Sequence, residues 1–442
     1  MADETGPTTT RTGRRRERSG LLCLAIGLMT GWCGLFYLFG ALLLEWERTT
    51  ALAKGDLTLG LTAALLTSAW AAPVAGRLID AGHGRWVMGL GALVGAAALA
   101  GLSAFETRVE FILAWAVIGI AQAACLYEPC FAVIARAMSA RAGRAIAGVA
   151  TVGGLCTLVT YPLAGWLVAA HDWQTATLAF AALTALVTAP LMFAGGAMLE
   201  PGCSPRPRAE RRAATCAASR TAGRTAGRTA GRDALARARG RRAYRWLFLA
   251  FGLIALPEGL VLAHMVPALV EAGQSETLAL ALAALLGPVQ VLARLLYIRF
   301  ARPGDTAMLA LWSYAAMGLG TLMLAAAPAN AGFAVGFALL FGLGYGVASI
   351  AKPMIVVRVL GAEALGRVLG ALAVPWYLVL ALSPHLGSVL WSSGGYDLAL
   401  VAAALAAMAA TLALATALAE PDEPARSLPA VSYDTRRAGG PG

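Results

Sequence analysis

Charge is scarce in this chain. Only 13% of its 442 residues are Asp, Glu, Lys or Arg, against about a quarter in an average soluble domain. Lysine is almost missing, because Lys54 and Lys352 are the only two, so the 35 basic residues are nearly all arginine. Aromatics reach only 8%, and the seven cysteines form no CxxC pair, which excludes a zinc-ribbon or disulfide framework. No GxxxxGK occurs to cradle nucleotide phosphates, and neither HExxH nor GxSxG is present, so direct ATP drive and the common hydrolase chemistries are set aside and no cofactor is expected. What remains is apolar: 59% of residues are hydrophobic and 50 are glycine. Such a composition belongs in a bilayer, where small residues let helices approach closely.

Apolar runs bounded by charge mark spans near 20–44, 57–79, 86–104, 110–135, 145–170 and 173–198, then 246–270, 277–300, 306–328, 331–358, 366–391 and 396–419. The expectation is an all-α membrane protein of twelve transmembrane helices in two six-helix halves, 20–198 and 246–419. Tails at 1–19 and 420–442 and a linker at 199–245 complete the chain. Residues 201–242 hold twelve arginines against Glu210 and Asp233, with TAGR three times in tandem from Thr221 to Arg232. No apolar period runs through that segment, so it reads as a solvated tether and topology signal rather than a nucleic-acid site. Arg77, Arg85, Arg136, Arg141, Arg144, the linker, Arg299, Arg302, Arg358, Arg367, Arg436 and Arg437 fall on one side of these spans, while Arg48, Lys54 and Arg108 fall on the other. The bias puts both termini in the cytoplasm of a multi-pass protein, expected in a bacterial inner membrane and as a monomer.

The halves repeat one another. LYEPCFAVIAR in the fourth span and IAKPMIVVR in the tenth align Glu128-Pro129 with Lys352-Pro353, and the arginines that follow align Arg144 with Arg367. Parallel six-span repeats of this kind are related by an axis along the membrane normal. GRLIDAGHGR, Gly76 to Arg85, resembles the signature GxLxDRxGRR between the second and third spans of the major facilitator superfamily. Gly76, Leu78, Asp80 and Arg85 match, and Ala81 stands where a basic residue is usual. The resemblance implies two bundles related by a pseudo-twofold and a cytoplasmic gate in which Asp80 and Arg85 meet the eleventh span near Arg367. More loosely, GPVQVLAR, Gly287 to Arg294, is similar to the GxxDxxAR of monocarboxylate porters; Arg294 matches, and Gln290 replaces the proton-carrying Asp.

An ionisable group inside hydrocarbon costs roughly 2.5 to 3.5 kcal/mol even on permissive scales, so it faces the protein interior and takes a partner. Glu128, Glu258, Arg294, Lys352 and His264 are the candidates, and the resemblance puts all but Arg294 on cavity-lining spans. Glu128 and Lys352, at equivalent depths, are expected to pair across the halves. Glu258 is a candidate proton carrier and Arg294 a bidentate grip for a carboxylate. Tyr37 and Trp32 are candidate substrate contacts, against a bland reading as core aromatics. Cys33, Cys125, Cys130 and Cys156 suit a soft metalloid only if they converge. The function expected is a non-enzymatic secondary transporter of a small organic anion, monocarboxylate-like, with protons as candidate coupling ion. The alternatives are proton-driven efflux of a drug or metalloid, and a membrane sensor with a transporter fold.

Overall fold

The computed structural model describes residues 11–138, 142–200, 236–302, 304–328, 330–361 and 365–420, and among them every regular element is helical. Backbone in hydrocarbon must satisfy its own polar groups, and helices do so within one segment. The first half comprises α1 (Arg15–Thr49), α2 (Lys54–Leu78), α3 (Gly84–Leu102), α4 (Arg108–Met138), α5 (Ala145–Ala170) and α6 (Trp173–Leu199). The second comprises α7 (Arg242–Glu271), α8 (Glu276–Phe300), α9 (Thr306–Ala325), α10 (Ala331–Leu360), α11 (365–393) and α12 (396–419).

Among the described residues, ten helices are long and apolar enough to cross a membrane, and two of these run to 49 and 52 residues. At 1.5 Å per residue each would extend over more than twice the ~30 Å of a bilayer core, so each must break. The breaks fall at glycine. Gly82 (φ 89°) separates α2 from α3, and Gly394 and Gly395 (φ 70° at the latter) separate α11 from α12. Both positive φ values are unfavourable for a side chain bearing Cβ. Ten helices thereby make twelve spans.

Polar caps start several helices. Thr107 and Glu110 form a capping box at α4. The Asp172 carboxylate accepts from Thr175 N at 2.6 Å, and that backbone donor holds its pKa below the usual carboxylate range. Within α4, Leu126 leaves helical geometry (φ −90°, ψ −141°). The cause is Pro129, which lacks an N–H and whose ring crowds the carbonyl four residues back, that of Cys125. In α1 a π-helical turn spans Cys33–Tyr37. Both irregularities open onto the space between the halves.

Six spans return each bundle's two ends to one face, here the terminal face. The halves meet mainly toward the other. There Leu38–Thr49 of α1 packs on α7, α2 on α11, and Cys156–Ala170 of α5 on α8. Arg48 bridges to Glu276 at 2.7 Å, Thr58 and Ser388 hydroxyls lie 2.8 Å apart, and the His385 ring sits 3.2 Å from Gly55 O. Lys54, buried, contacts Glu47 at 3.2 Å and lies 3.5 Å from the Trp391 ring centre. Glycine sets the closest approaches: a Cβ on Gly287 would overlap Gly154 O and Thr157 Oγ1, and one on Gly119 would overlap Ala64 O. The first half's own core is an edge-to-face cluster of Phe39, Trp46, Phe111 and Trp115, all with no exposed surface.

Candidate functional site

A cavity of about 300 Å³ lies between the halves, walled by α1, α2, α4 and α5 on one side and α7, α8, α10 and α11 on the other. Glu128, Glu258, Arg294, Lys352 and Tyr37 all line it. Five of the six residues expected at the substrate site are therefore brought together, although their partnerships differ from the expectation.

Lys352 pairs with Glu258, not with Glu128. Its Nζ lies 3.1 Å and 3.5 Å from the two Glu258 carboxylate oxygens and 4.4 Å from the Trp376 ring centre. Glu258, completely buried, also accepts from Trp376 Nε1 at 2.6 Å. Glu128 instead accepts a hydrogen bond from Tyr377 of the opposite half, at 2.9 Å. The cross-half ion pair read from the repeat thus gives way to an ion pair inside the second half and a neutral-donor hydrogen bond across the halves. The reason is backbone geometry. Pro129 breaks α4 at Leu126, whereas α10 continues through Pro353, so the two aligned motifs are not equivalent in space.

Arg294, half-buried on α8, reaches α5 through Nη1, which donates to Ala150 O at 3.4 Å. Its Nε is buried and has no hydrogen-bond partner among the described residues. The Tyr127 side chain lies near the same guanidinium. Tyr37, on the π-turn, packs edge-on to Phe36 with centroids 5.1 Å apart and lies 6.0 Å from Trp32.

His264 does not line the cavity. It is fully buried, with Nδ1 3.1 Å from Tyr396 Oη and Nε2 2.7 Å from Pro384 O. Six residues beyond Glu258, it is turned about 120° around α7 and packs into the second bundle as a satisfied core histidine. Cys33 Sγ donates to Cys156 O at 3.4 Å, and among the described residues no group of three His, Cys, Asp or Glu side chains is placed to hold a metal.

Of the residues expected at the gate, Asp80 and Arg85 are described, with no hydrogen bond or ion pair to the eleventh span among the described residues. Asp80 and Arg85 are exposed on the terminal face, and the Arg85 guanidinium lies against Trp86 and Phe193 of its own half. The backbone N–H groups of Gly84 and Arg85 donate to the Glu200 carboxylate at 3.2 and 3.3 Å, and Arg136 donates to Ile79 O. The side chain of Arg367 falls outside the described residues. Sequence reasoning missed Trp376, Tyr377 and Glu200. The first two follow Pro375 as a Trp-Tyr pair in mid-span, a pattern shared by many lipid-facing aromatics.

The family model described as Major Facilitator Superfamily matches residues 24–384. No curated protein matches the chain in sequence. Among solved structures, a bacterial homologue of the human lysosomal transporter Spinster, inward-facing and unoccupied, aligns at TM-score 0.61 and 16% identity over 91% of this chain and 96% of that one. A bacterial homologue of the human drug peptide transporters PepT1 and PepT2 aligns at 0.62 and 13%, covering 91% and 98%. The nucleoside transporter NupG aligns at 0.65 and 13%, covering 92% and 100%. At these identities the likeness is one of fold.

Proposed function

The chain belongs to the major facilitator superfamily, and on that premise we propose that it is a secondary transporter of a small organic anion, working by alternating access about the central cavity. The halves, 20–198 and 246–419, rock as a monomer in a bacterial inner membrane, with the terminal face in the cytoplasm as the arginine bias indicates. The contacts at the opposite face then make the conformation described here inward-facing. The likeness to monocarboxylate porters, carried by Arg294, belongs to this proposal.

One observation carries it. Arg294 lines the cavity with a buried Nε that has no partner among the described residues. An unsatisfied buried donor costs about 1–3 kcal/mol, more when charged. A carboxylate in the cavity that drew the guanidinium round until Nε met it would remove that cost, and the planar fork suits its two oxygens as lysine does not.

Coupling follows from the neighbouring pair. A proton on Glu258 removes the counter-charge from Lys352, and the cavity becomes more attractive to an anion. By linkage the bound anion equally favours the proton. Both ligands then bias the same equilibrium between the two access states.

Purified full-length protein in proteoliposomes, given labelled monocarboxylates with and without an imposed pH gradient, tests the proposal. Uptake is expected to saturate and to rise with the gradient. Arg294→Lys should lower it about tenfold or more, because charge is kept but the fork is lost. Failure of every carboxylate to move, or an unimpaired Arg294→Lys, would overturn the assignment.

A further inference from the structure

The two walls of the cavity differ in chemistry. Charge comes chiefly from the second half, through Glu258, Lys352 and Arg294, beside the rings of Tyr345, Trp376 and Tyr377. The first half contributes Trp32, Phe36, Tyr37 and Tyr127, with Glu128 at the margin. These four rings form a continuous set. Trp32 lies 5.1 Å from Phe36 and 4.8 Å from Tyr127, Phe36 lies 5.1 Å from Tyr37, and Tyr127 continues onto Phe131 at 5.1 Å. All are within the 4.5–7 Å over which aromatic pairs attract.

The π-turn at Cys33–Tyr37 builds this wall. In an α-helix, Trp32 and Phe36 share a face and Tyr37 turns away from it. The i→i+5 winding of a π-turn carries Tyr37 back beside Trp32, and π-turns are frequent at functional sites. Packing alone does not account for the set. The core aromatics Phe39, Trp46, Phe111 and Trp115 have no exposed surface, whereas Trp32, Phe36 and Tyr127 are only partly buried, with cavity beside them.

We infer that the transported anion is an aryl carboxylate, its ring against the Trp32–Phe36–Tyr127 wall and its carboxylate toward Arg294. This rests on the anion reading above and adds the body of the substrate to its head group. Size agrees. A dry cavity of ~150 Å³ holds one benzene ring, so about 300 Å³ takes one or two fused rings with a carboxylate. A two-carbon acid held at Arg294 is too short to cover most of the aromatic wall.

The test is a graded series, acetate, cyclohexanecarboxylate, benzoate and indole-3-carboxylate, taken up by proteoliposomes of the full chain. KM is expected to fall along the series, with benzoate roughly threefold or more below cyclohexanecarboxylate, since ring pairing adds to area burial. Trp32→Leu should raise KM for benzoate roughly three- to tenfold and leave acetate within about twofold. Trp32→Phe should keep most of the benzoate preference, and with the wild-type series it decides the matter should the leucine variant not fold. Acetate transported as well as benzoate, or a Trp32→Leu penalty equal for all four acids, would overturn the aryl assignment and leave the anion site standing. If no acid in the series moves, the anion site itself fails and the aryl assignment with it.

Discussion

Replacing Lys54 with methionine should release the face of the protein opposite its termini. The Lys54 side chain is 3% exposed, with Nζ 3.2 Å from Glu47, 3.5 Å from the Trp391 ring centre and 4.8 Å from that of Tyr396. These contacts are not alike. Glu47 lies in the same half as Lys54 and should travel with it, so the ion pair is present in both access states and cancels from their difference. Trp391 and Tyr396 belong to the other half, as does Glu271, whose charge attracts Lys54, and these contacts are lost when this face opens. A desolvated cation–π contact is worth about 2 kcal/mol. That corresponds to a shift of roughly 30-fold in the ratio of the two states. The Glu47 side chain is 25% exposed, so water compensates part of its loss of a partner. Distances between spin labels at Val109 and Phe333, which flank this face in the two halves, measure the populations. Lys54→Met and Trp391→Leu should each enrich the open form, and the double variant should add little to either. Effects that simply add, with coupling under about 0.5 kcal/mol, would refute the cross-half role of Lys54.

Three further outcomes follow from the same geometry. Glu258→Gln retains an acceptor for Trp376 Nε1 and removes the counter-charge of Lys352; anion uptake should persist and lose its dependence on an imposed pH gradient, and a gradient response like wild type would refute coupling at this residue. Gly119→Ala puts a methyl group against Ala64 O and Thr67 Oγ1 where α2 and α4 touch, costing about 1–3 kcal/mol, and a Tm in detergent equal to wild type would contradict so close an approach. Glu200→Ala strips the acceptor from the first two N–H groups of α3 and should cost about 1 kcal/mol; Glu200→Gln should recover part of the loss in the same melting assay.

The spans were legible because hydrophobic length is nearly all that a bilayer demands, but helix ends were not. α1 runs on to Thr49 through Glu45, Glu47 and Arg48, five residues past the apolar run, and α7 starts at Arg242 rather than 246. A helix needs its hydrogen bonds and not apolar side chains, so it continues into water where hydropathy falls. Much of the cavity lining was legible for a related reason. Glu128, Glu258, Arg294 and Lys352 each had to face the interior, and all four line the cavity between the halves. Trp376 and Tyr377 carry no such obligation. A tryptophan carries no charge, so hydropathy does not say whether its ring meets lipid or protein, and the partner that its N–H finds in Glu258 is a matter of the fold. His264 shows the opposite limit: its two ring nitrogens could be satisfied by a tyrosine and a carbonyl that lie more than a hundred residues away in the chain.

Pairing was illegible because pseudo-symmetry equates motifs and not backbones. Glu128-Pro129 and Lys352-Pro353 align, yet only the first proline breaks its helix. The consequence bears on how the protein moves. Under the proposed alternating access, every rocking cycle undoes the contacts that cross between halves. A buried ion pair across that boundary would cost about 3–5 kcal/mol each time it was split, because each charge would be left unpaired in a low dielectric. Here Lys352 and Glu258 lie in the same half and can remain paired throughout, and what crosses the boundary near Glu128 is a hydrogen bond from Tyr377. A hydrogen bond to a charged group is worth about 1.5–3 kcal/mol, and Glu128, exposed at the cavity, has water to replace it. On the proposed function the inner charges would therefore bind ligand and proton without also acting as a lock. That task is left to the opposite face, where Arg48–Glu276 and Lys54–Trp391 join the halves.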